Sequence, residues 1–305
     1  MSEEKVSLHG LRIFISLNGA IHGEILPCRI SDYLAHLMLI GEKPLRHWID
    51  KFYGYGTWQA EIWFVAHEES GGDLPEEVAE KLDYFYDVHG TATHATLCDI
   101  RDVYRHVAIR WESPKAELFR NRFEYRFGSN AALNAVWKNL IAFAHGYRNE
   151  ALPDPLEYQK HSLASTSSHE ALLKLYPLPG ASHHGWNYNW LDLGEEFGFL
   201  KSRAQYQQHL FEERMRSLLH NIRIYKPRLV LMYAMENINT LKTSVQQSYP
   251  KAKFRMIKAV KQRIPQHHRA DLDGTTLIIT TQIPALRHNR IETGFDWHEF
   301  GEKCV

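Results

Sequence analysis

The stretch IWFVAHEESGG, residues 62–72, constrains this chain more than any other. Four apolar residues, Ile62, Trp63, Phe64 and Val65, give way at once to polar ones and then to Gly71-Gly72. A run so short and so abruptly ended reads as a buried strand, not a helix. A loop is expected to follow it. In an α/β sheet, ligands bind outside the carboxyl ends of the strands, so His67, Glu68 and Glu69 are expected at the mouth of a crevice. Neighbouring carboxylates raise each other's pKa, and that cost points to chemistry, with a solvated loop as the alternative.

The remaining elements follow the grammar of a layered α/β protein. Residues 11–17 and 21–26 flank Asn18-Gly19, a hairpin signal because a tight primed turn needs positive φ at both central positions. Ser31-Asp32 caps one expected helix, and residues 45–52 form a second that ends at Gly54. The segment YGYGTWQAE then reads as a lead-in to the central strand. Residues 74–86 and 131–145 have helical periodicity, with Trp137 on the buried side of the latter. Residues 89–128 are expected to be irregular with short helices, and 146–168 to be a loop containing Pro153 and Pro155. The two prolines of LYPLPG, residues 175–180, force an extended backbone. Residues 203–225 read as a long amphipathic helix stopped at Lys226-Pro227-Arg228. A strand at 229–233, a helix at 236–249, an edge strand at 254–260, a turn at 271–274, a last strand at 275–280 and a helical tail at 295–303 complete the chain.

Composition narrows the classes of function. The chain of 305 residues, 44% hydrophobic and 24% charged, is ordinary for a globular protein. It has no apolar run near the ~18 residues of a membrane helix, and Met1-Ser2-Glu3-Glu4-Lys5 is not a signal-peptide start, so a cytoplasmic protein is expected. Cys28, Cys98 and Cys304 lie too far apart for zinc or iron–sulfur spacing and are read as reduced. No cofactor, metal or obligate protein partner is called for. The net charge is zero, yet residues 201–290 hold 17 lysines and arginines against five acids. Lys251, Lys253, Arg255, Lys258, Lys261, Arg263 and Arg269 follow one another without an acid between them. Such a field suits a phosphate backbone, or else is simply a solvated face.

The segment SHHGWNYNWLDLG, residues 182–194, crowds His183, His184, Trp186, Tyr188 and Trp190 among Asn187, Asn189 and Asp192. Flat faces mixed with hydrogen-bonding groups can stack on a base or sugar and read its edge. The alternative is a packed surface loop. Metal binding by His183-His184 lacks an evident third ligand.

Taken in order, these pieces resemble the uracil-DNA glycosylase superfamily over residues 53–304. The likeness rests on WFVAHEESGG, on the helix residues NAVWKNL at 134–140, on LYPLPG, on the strand entry KPRLVL at 226–231 and on the terminal QIPA at 282–285. It implies a three-layer α/β/α sandwich around a mainly parallel four-stranded sheet, occupying residues 53–305 after an N-terminal hairpin and helical extension of residues 1–52. It also implies a DNA partner and a monofunctional glycosylase that hydrolyses the N-glycosidic bond of a flipped base to leave an abasic site. Glu68 falls where the family has the Asp or Asn that activates water, with Glu69 where proline is common and Ala66 where glycine is common. A carboxylate there stabilises an oxocarbenium-like sugar and takes a proton from water.

The resemblance makes Glu68 and Glu69 the candidate catalytic residues. It makes His67, Lys174, Tyr176, His183, His184, Trp186, Tyr188 and Gln282 the substrate contacts, and Lys258, Lys261, Arg263, Arg287, His288 and Arg290 the DNA contacts. Two positions depart from the family. Gln282 or Ile283 stands where a His-Pro pair usually supplies the histidine that stabilises the leaving base. Lys174 and Leu175 lie near the place of the uracil-reading asparagine. Both departures lead away from uracil, the roomy polar-aromatic insertion at residues 182–190 suits a bulkier base, and bacterial phage-defence members resembling this family act on glucosylated hydroxymethylcytosine. The alternatives are a uracil or damaged-base glycosylase, a non-catalytic nucleic-acid-binding module of the same fold, and a metal-dependent hydrolase using Glu68-Glu69 and histidines.

Overall fold

The computed structural model describes residues 40–71, 75–107, 122–180, 186–191, 193–259, 263–285 and 294–305. The hairpin expected at Asn18-Gly19 and the helix after Ser31-Asp32 lie outside the described residues. So does Cys28, while Cys98 and Cys304 are buried free thiols.

The short apolar run does form a strand, but a longer one than its composition announces. Strand β2 spans Ile62–Ser70, so His67, Glu68 and Glu69 lie on the strand itself and not on a following loop. The cause is a partner distant in sequence. Strand β4, Glu170–Gly180, runs parallel beside β2 and pairs Glu68 with Tyr176 and Ser70 with Gly180. The pairing slips between Glu68 and Glu69, which is matched to Pro179, so Pro177 and Leu178 are passed over. Proline supplies no N–H to a ladder, and a slip is where a strand tolerates it.

On the other side of β2 lies β5, Leu229–Tyr233, parallel and in register from Ile62 opposite Leu229 to Ala66 opposite Tyr233. Next to β5 comes β8, Thr275–Ile279, again parallel. These four parallel strands are the centre of a larger sheet than the four-stranded one expected. β1, Phe52–Tyr55, pairs antiparallel with β4, and β3, Thr96–Cys98, continues parallel to β1. At the opposite margin β7, His267–Leu272, forms a hairpin with β8, and β6, Arg255–Ile257, pairs antiparallel with β7. The protein is thus α/β, and among the described residues it has one eight-stranded mixed, mostly parallel sheet in the order β3-β1-β4-β2-β5-β8-β7-β6.

Three of the added strands escaped the sequence reading for local reasons. β1 reads FYGY, and at Gly54 the backbone has φ +136° with a Cβ position only 2.1 Å from Leu172 O. Only glycine permits that approach to β4. β3 is three residues long, and β7, sequence HHRADL, has too few apolar residues to announce itself.

Helix α1, Glu42–Lys51, covers the expected 45–52 but gives way directly to β1. Its Trp48 stacks on Phe52 with centroids 3.8 Å apart and donates from Nε1 to Pro177 O at 2.8 Å, fixing the slipped end of β4. Helix α2 is Pro75–His89, followed after β3 by α3, Ile100–His106, and α4, Arg122–Phe127. Helix α5, Ala135–Tyr147, starts where the Asn134 side chain accepts from the N–H groups of Val136 and Trp137. The expected loop at 146–168 holds a helix, α6, Pro155–His161: Asp154 caps it, and Pro155 at its first position is no breaker because that N–H has no helical partner.

Helix α7, Arg203–Tyr225, has the predicted bounds, with Ser202 as its cap and Lys226 in the left-handed region at its end. Tyr206, Leu210, Met215, Leu218, Leu219 and Ile222 are buried as expected, each contributing about 1.5–3 kcal/mol by the usual side-chain scale. Buried Arg214 binds the helix to the sheet by donating to Phe52 O, Lys174 O and Leu175 O at 2.8–3.0 Å. Helix α8, Ile238–Ser248, and helix α9, Trp297–Glu302, complete the fold.

Candidate functional site

After β2 the chain goes to β3 at one margin of the sheet, and after β5 it goes to β6 at the other. The switch point between β2 and β5 is where an open α/β sheet forms its crevice. Four strands deliver side chains to this edge: β2 brings His67 and Glu68, β4 brings Tyr176, the turn after β5 brings Glu236, and the segment after β8 brings Gln282. That turn is bent tightly, with φ +56° at Ala234 and +49° at Asn237. It is held there by Ala234 N donating to Gln282 O and Met235 N to Thr280 O, each at 3.1 Å. Non-glycine residues in this conformation are uncommon, and they cluster at functional sites.

Glu68 is half-buried and gripped from the start of α7. Gln207 Nε2 donates to its Oε1 at 2.6 Å, and Arg203 Nε lies 3.8 Å from Oε2. Gly180 makes the meeting possible, since a Cβ there would stand 2.7 Å from Glu68 Oε2 and 3.1 Å from the Arg203 guanidinium. The His67 ring meets Tyr176 edge-on, with centroids 5.0 Å apart. Burial pulls the His67 pKa below the ordinary imidazole value, against the opposing pull of Glu68 and Glu236 and with a smaller push in the same direction from Arg203. Burial, then the Glu68 charge, pushes the Tyr176 phenol up, so it stays protonated.

Glu69, next in sequence, goes elsewhere. It is buried, accepts from Tyr55 Oη at 2.9 Å and pairs with Lys174 Nζ at 3.0 Å. Burial works against the Lys174 charge, but Glu69 outweighs it and raises the ammonium's pKa. A second buried pair lies nearby: Lys81 Nζ stands 3.1 Å from Glu77, whose other oxygen accepts from Arg122 at 2.6 Å. Of the two carboxylates expected at the crevice, Glu68 is there, while Glu69 and Lys174 hold each other inside the protein. The register slip between Glu68 and Glu69 coincides with this parting.

In the aromatic segment, Trp186 packs on Tyr188 and Tyr206 with centroids 4.8 and 4.9 Å apart, beneath the Arg203 guanidinium at 5.8 Å. Tyr188 is buried and donates to Pro179 O at 3.0 Å. It also lines a depression of about 470 Å³ together with Asn189, Leu193, Phe197 and Lys201. His183 and His184 lie outside the described residues. Gln282 is half-buried and donates from Nε2 to Ile283 O at 3.2 Å.

Of the basic residues, exposed Lys258 follows β6, whose direction matches that of β8, so it stands on the same edge as Glu68. Four strand spacings separate β6 from β2, about 19 Å at ~4.8 Å each. Arg263 is engaged by Asp296 at 3.0 Å and Glu299 at 2.9 Å. Lys261, Arg287, His288 and Arg290 lie outside the described residues. Sequence reasoning missed Gln207, Arg203 and Glu236. The first two are separated from Glu68 by more than 130 residues and left no local signal. Glu236, the only acid between Glu213 and Asp271, was legible as the first charge after a buried strand.

Among the described residues, no three His, Cys, Asp or Glu side chains come together in a way that could hold a metal ion. No helix among them is long and apolar enough to cross a membrane. No protein-family model, curated protein or solved structure matches the chain.

Proposed function

We propose that this protein is a DNA glycosylase that hydrolyses the N-glycosidic bond of a flipped-out base and leaves an abasic site, with a bulky modified cytosine, glucosylated hydroxymethylcytosine of phage DNA, as the favoured substrate. One observation carries the reading: Glu68 is held at the switch-point crevice by Gln207 and Arg203, one residue after His67 on the same strand. A carboxylate so fixed takes a proton from water and stabilises the positive charge growing on the sugar. The α/β/α layering that accompanies this reading is supported by two successive residues of β2, whose side chains point to opposite faces of the sheet. Phe64 meets Phe143 of α5, and Trp63 meets Tyr225 of α7. The base has to leave the stack to reach Glu68, at a cost of a few kcal/mol. Lys258 on the same edge suits a phosphate some nucleotides from the flipped one.

The test is base release from duplex and single-stranded oligonucleotides carrying uracil, hypoxanthine, hydroxymethylcytosine or glucosylated hydroxymethylcytosine, with alkali cleavage reporting abasic sites. Release of one base, lost in Glu68→Gln, supports the reading and names the substrate. Efficient release of uracil with glucosylated DNA left intact would replace the modified base by uracil. Binding without release from any of them would favour a non-catalytic nucleic-acid-binding module, which the segregated basic charge of residues 201–290 also suits.

A further inference from the structure

Breaking an N-glycosidic bond by water requires an acceptor for the water proton and a group that takes up the electron pair left on the departing base. Glu68 fills the first requirement in the proposed function, on which this inference rests. Among the described residues, the second has few claimants at the crevice. Arg203 is turned to Glu68, and the Gln282 amide, a neutral donor engaged in part by Ile283 O, has no proton to give up. Tyr176 keeps its proton too tightly to give it up. His67 remains. It is half-buried on β2 one residue before Glu68, edge-on to Tyr176.

We propose that His67 is the acid that protonates the leaving base, and that Glu236, presented from the turn after β5, is the positioning residue that favours its charged form. The placement comes from the sheet. Ala66 and Tyr233 are opposite one another in β2 and β5, so His67 and the turn carrying Glu236 leave the sheet side by side. The positive φ values at Ala234 and Asn237 bracket Glu236, and two backbone hydrogen bonds to the segment after β8 lock the turn. The His67 ring meets Tyr176 of β4 edge-on, and the charges that act on it are Glu68 from its own strand, Glu236 from beyond β5 and Arg203 from α7. Two carboxylates favour its cation, while burial and Arg203 oppose it. The balance yields an imidazolium that is a stronger acid than free histidine, which is what a leaving base needs.

The protons and electrons close as follows. The pair of the C1′–N bond goes to the base, which takes a proton from the His67 imidazolium. The oxygen of water bonds to C1′ while its proton goes to Glu68. Transfer of that proton back to His67 restores the site, and the products are the free base and a hemiacetal sugar.

The experiment uses the full chain in two arms. The first is an NMR titration of the histidine rings, with His67→Gln identifying the His67 signal. In Glu236→Gln the His67 midpoint is expected to fall by about one pH unit, because a favouring carboxylate is gone. The second is single-turnover base release against pH, on whichever oligonucleotide of the panel the wild type cleaves. The acid form of His67 is required, so activity declines as pH rises through its pKa. Glu236→Gln moves that alkaline limb down by the same unit, about tenfold less release at neutral pH, and His67→Gln removes the limb. An unmoved His67 midpoint overturns the role of Glu236, and an alkaline limb that survives in His67→Gln overturns the role of His67. Absence of release from every oligonucleotide by the wild type overturns the proposed function and the acid role with it, whereas a shifted midpoint in that case still establishes the His67–Glu236 coupling.

Discussion

Gln207 Nε2 donates to Glu68 Oε1 across 2.6 Å and thereby joins the second turn of α7 to the carboxyl end of β2. Residues 139 positions apart meet here because Arg214, two turns further along α7, fastens the helix to the backbone of β1 and β4. The carboxylate is oriented by a helix that is itself fixed by the sheet.

Replacing Glu68 by Gln keeps the shape and removes the proton acceptor. Base release is expected to fall by about 10²–10⁴-fold while DNA affinity is retained. Gln207→Ala leaves the carboxylate present but loosely aimed, so a smaller loss of about tenfold is expected, most of it in kcat. Single-turnover rates and filter binding on the same oligonucleotide check both. Equal losses in the two variants would show that Glu68 acts only as a structural partner of Gln207.

Lys174→Met leaves Glu69 buried without its cation and is expected to destabilise the protein by about 3–5 kcal/mol. The double variant Lys174→Met, Glu69→Leu removes both charges and should recover most of that loss, because the desolvation of two ions disappears with their attraction. Urea unfolding of the two single variants and the double variant measures the coupling. A double variant as unstable as the sum would mean that Tyr55 and the neighbouring pair, not the Glu69–Lys174 bond, decide the cost.

The Glu77 carboxyl is buried, which by itself raises its pKa, but Lys81 and Arg122 beside it more than compensate and hold it below its ordinary value of 4.5. A depressed pKa contributes stability that is fully present above 4.5 and is lost as pH falls through the folded-state value. Thermal unfolding between pH 6 and 3 is therefore expected to show a steeper loss for the wild type than for Glu77→Gln. Parallel curves would remove Glu77 from the acid transition.

Lys258 is exposed on the sheet edge that carries Glu68, four strands away from it, whereas Arg263 is held by Asp296 and Glu299. If DNA lies along this edge, Lys258→Ala lowers the slope of log affinity against log salt by about one, and Arg263→Ala lowers it less. Fluorescence anisotropy at several salt concentrations reads both slopes. An unchanged slope in Lys258→Ala would move the DNA path off the β6 edge.

The sequence by itself determined the elements whose signals are local. Residues 203–225 carry a buried stripe, a serine cap and a proline stop within one helix, and their bounds are those observed. The apolar runs at Ile62 and Leu229 became the paired strands β2 and β5, and the prolines of LYPLPG became extended β4. Glu68 at the end of the first run was likewise legible as a candidate. Tertiary structure decided the rest, because it depends on partners far along the chain. β4 lengthened β2 to Ser70, and Glu68 and Glu69 were sent to different surroundings where the two strands slip. Strands β1, β3 and β7 exist because a sheet margin stood beside them, in segments too short, too glycine-rich or too polar to propose themselves. The grip of Gln207 and Arg203 on Glu68 follows from the docking of α7 on the sheet, and the arrival of the turn carrying Glu236 beside the end of β2 follows from the pairing of β2 with β5. Alternation and capping are written in neighbouring residues, whereas register and strand order are settled only when distant segments compete for the same hydrogen bonds and the same buried volume.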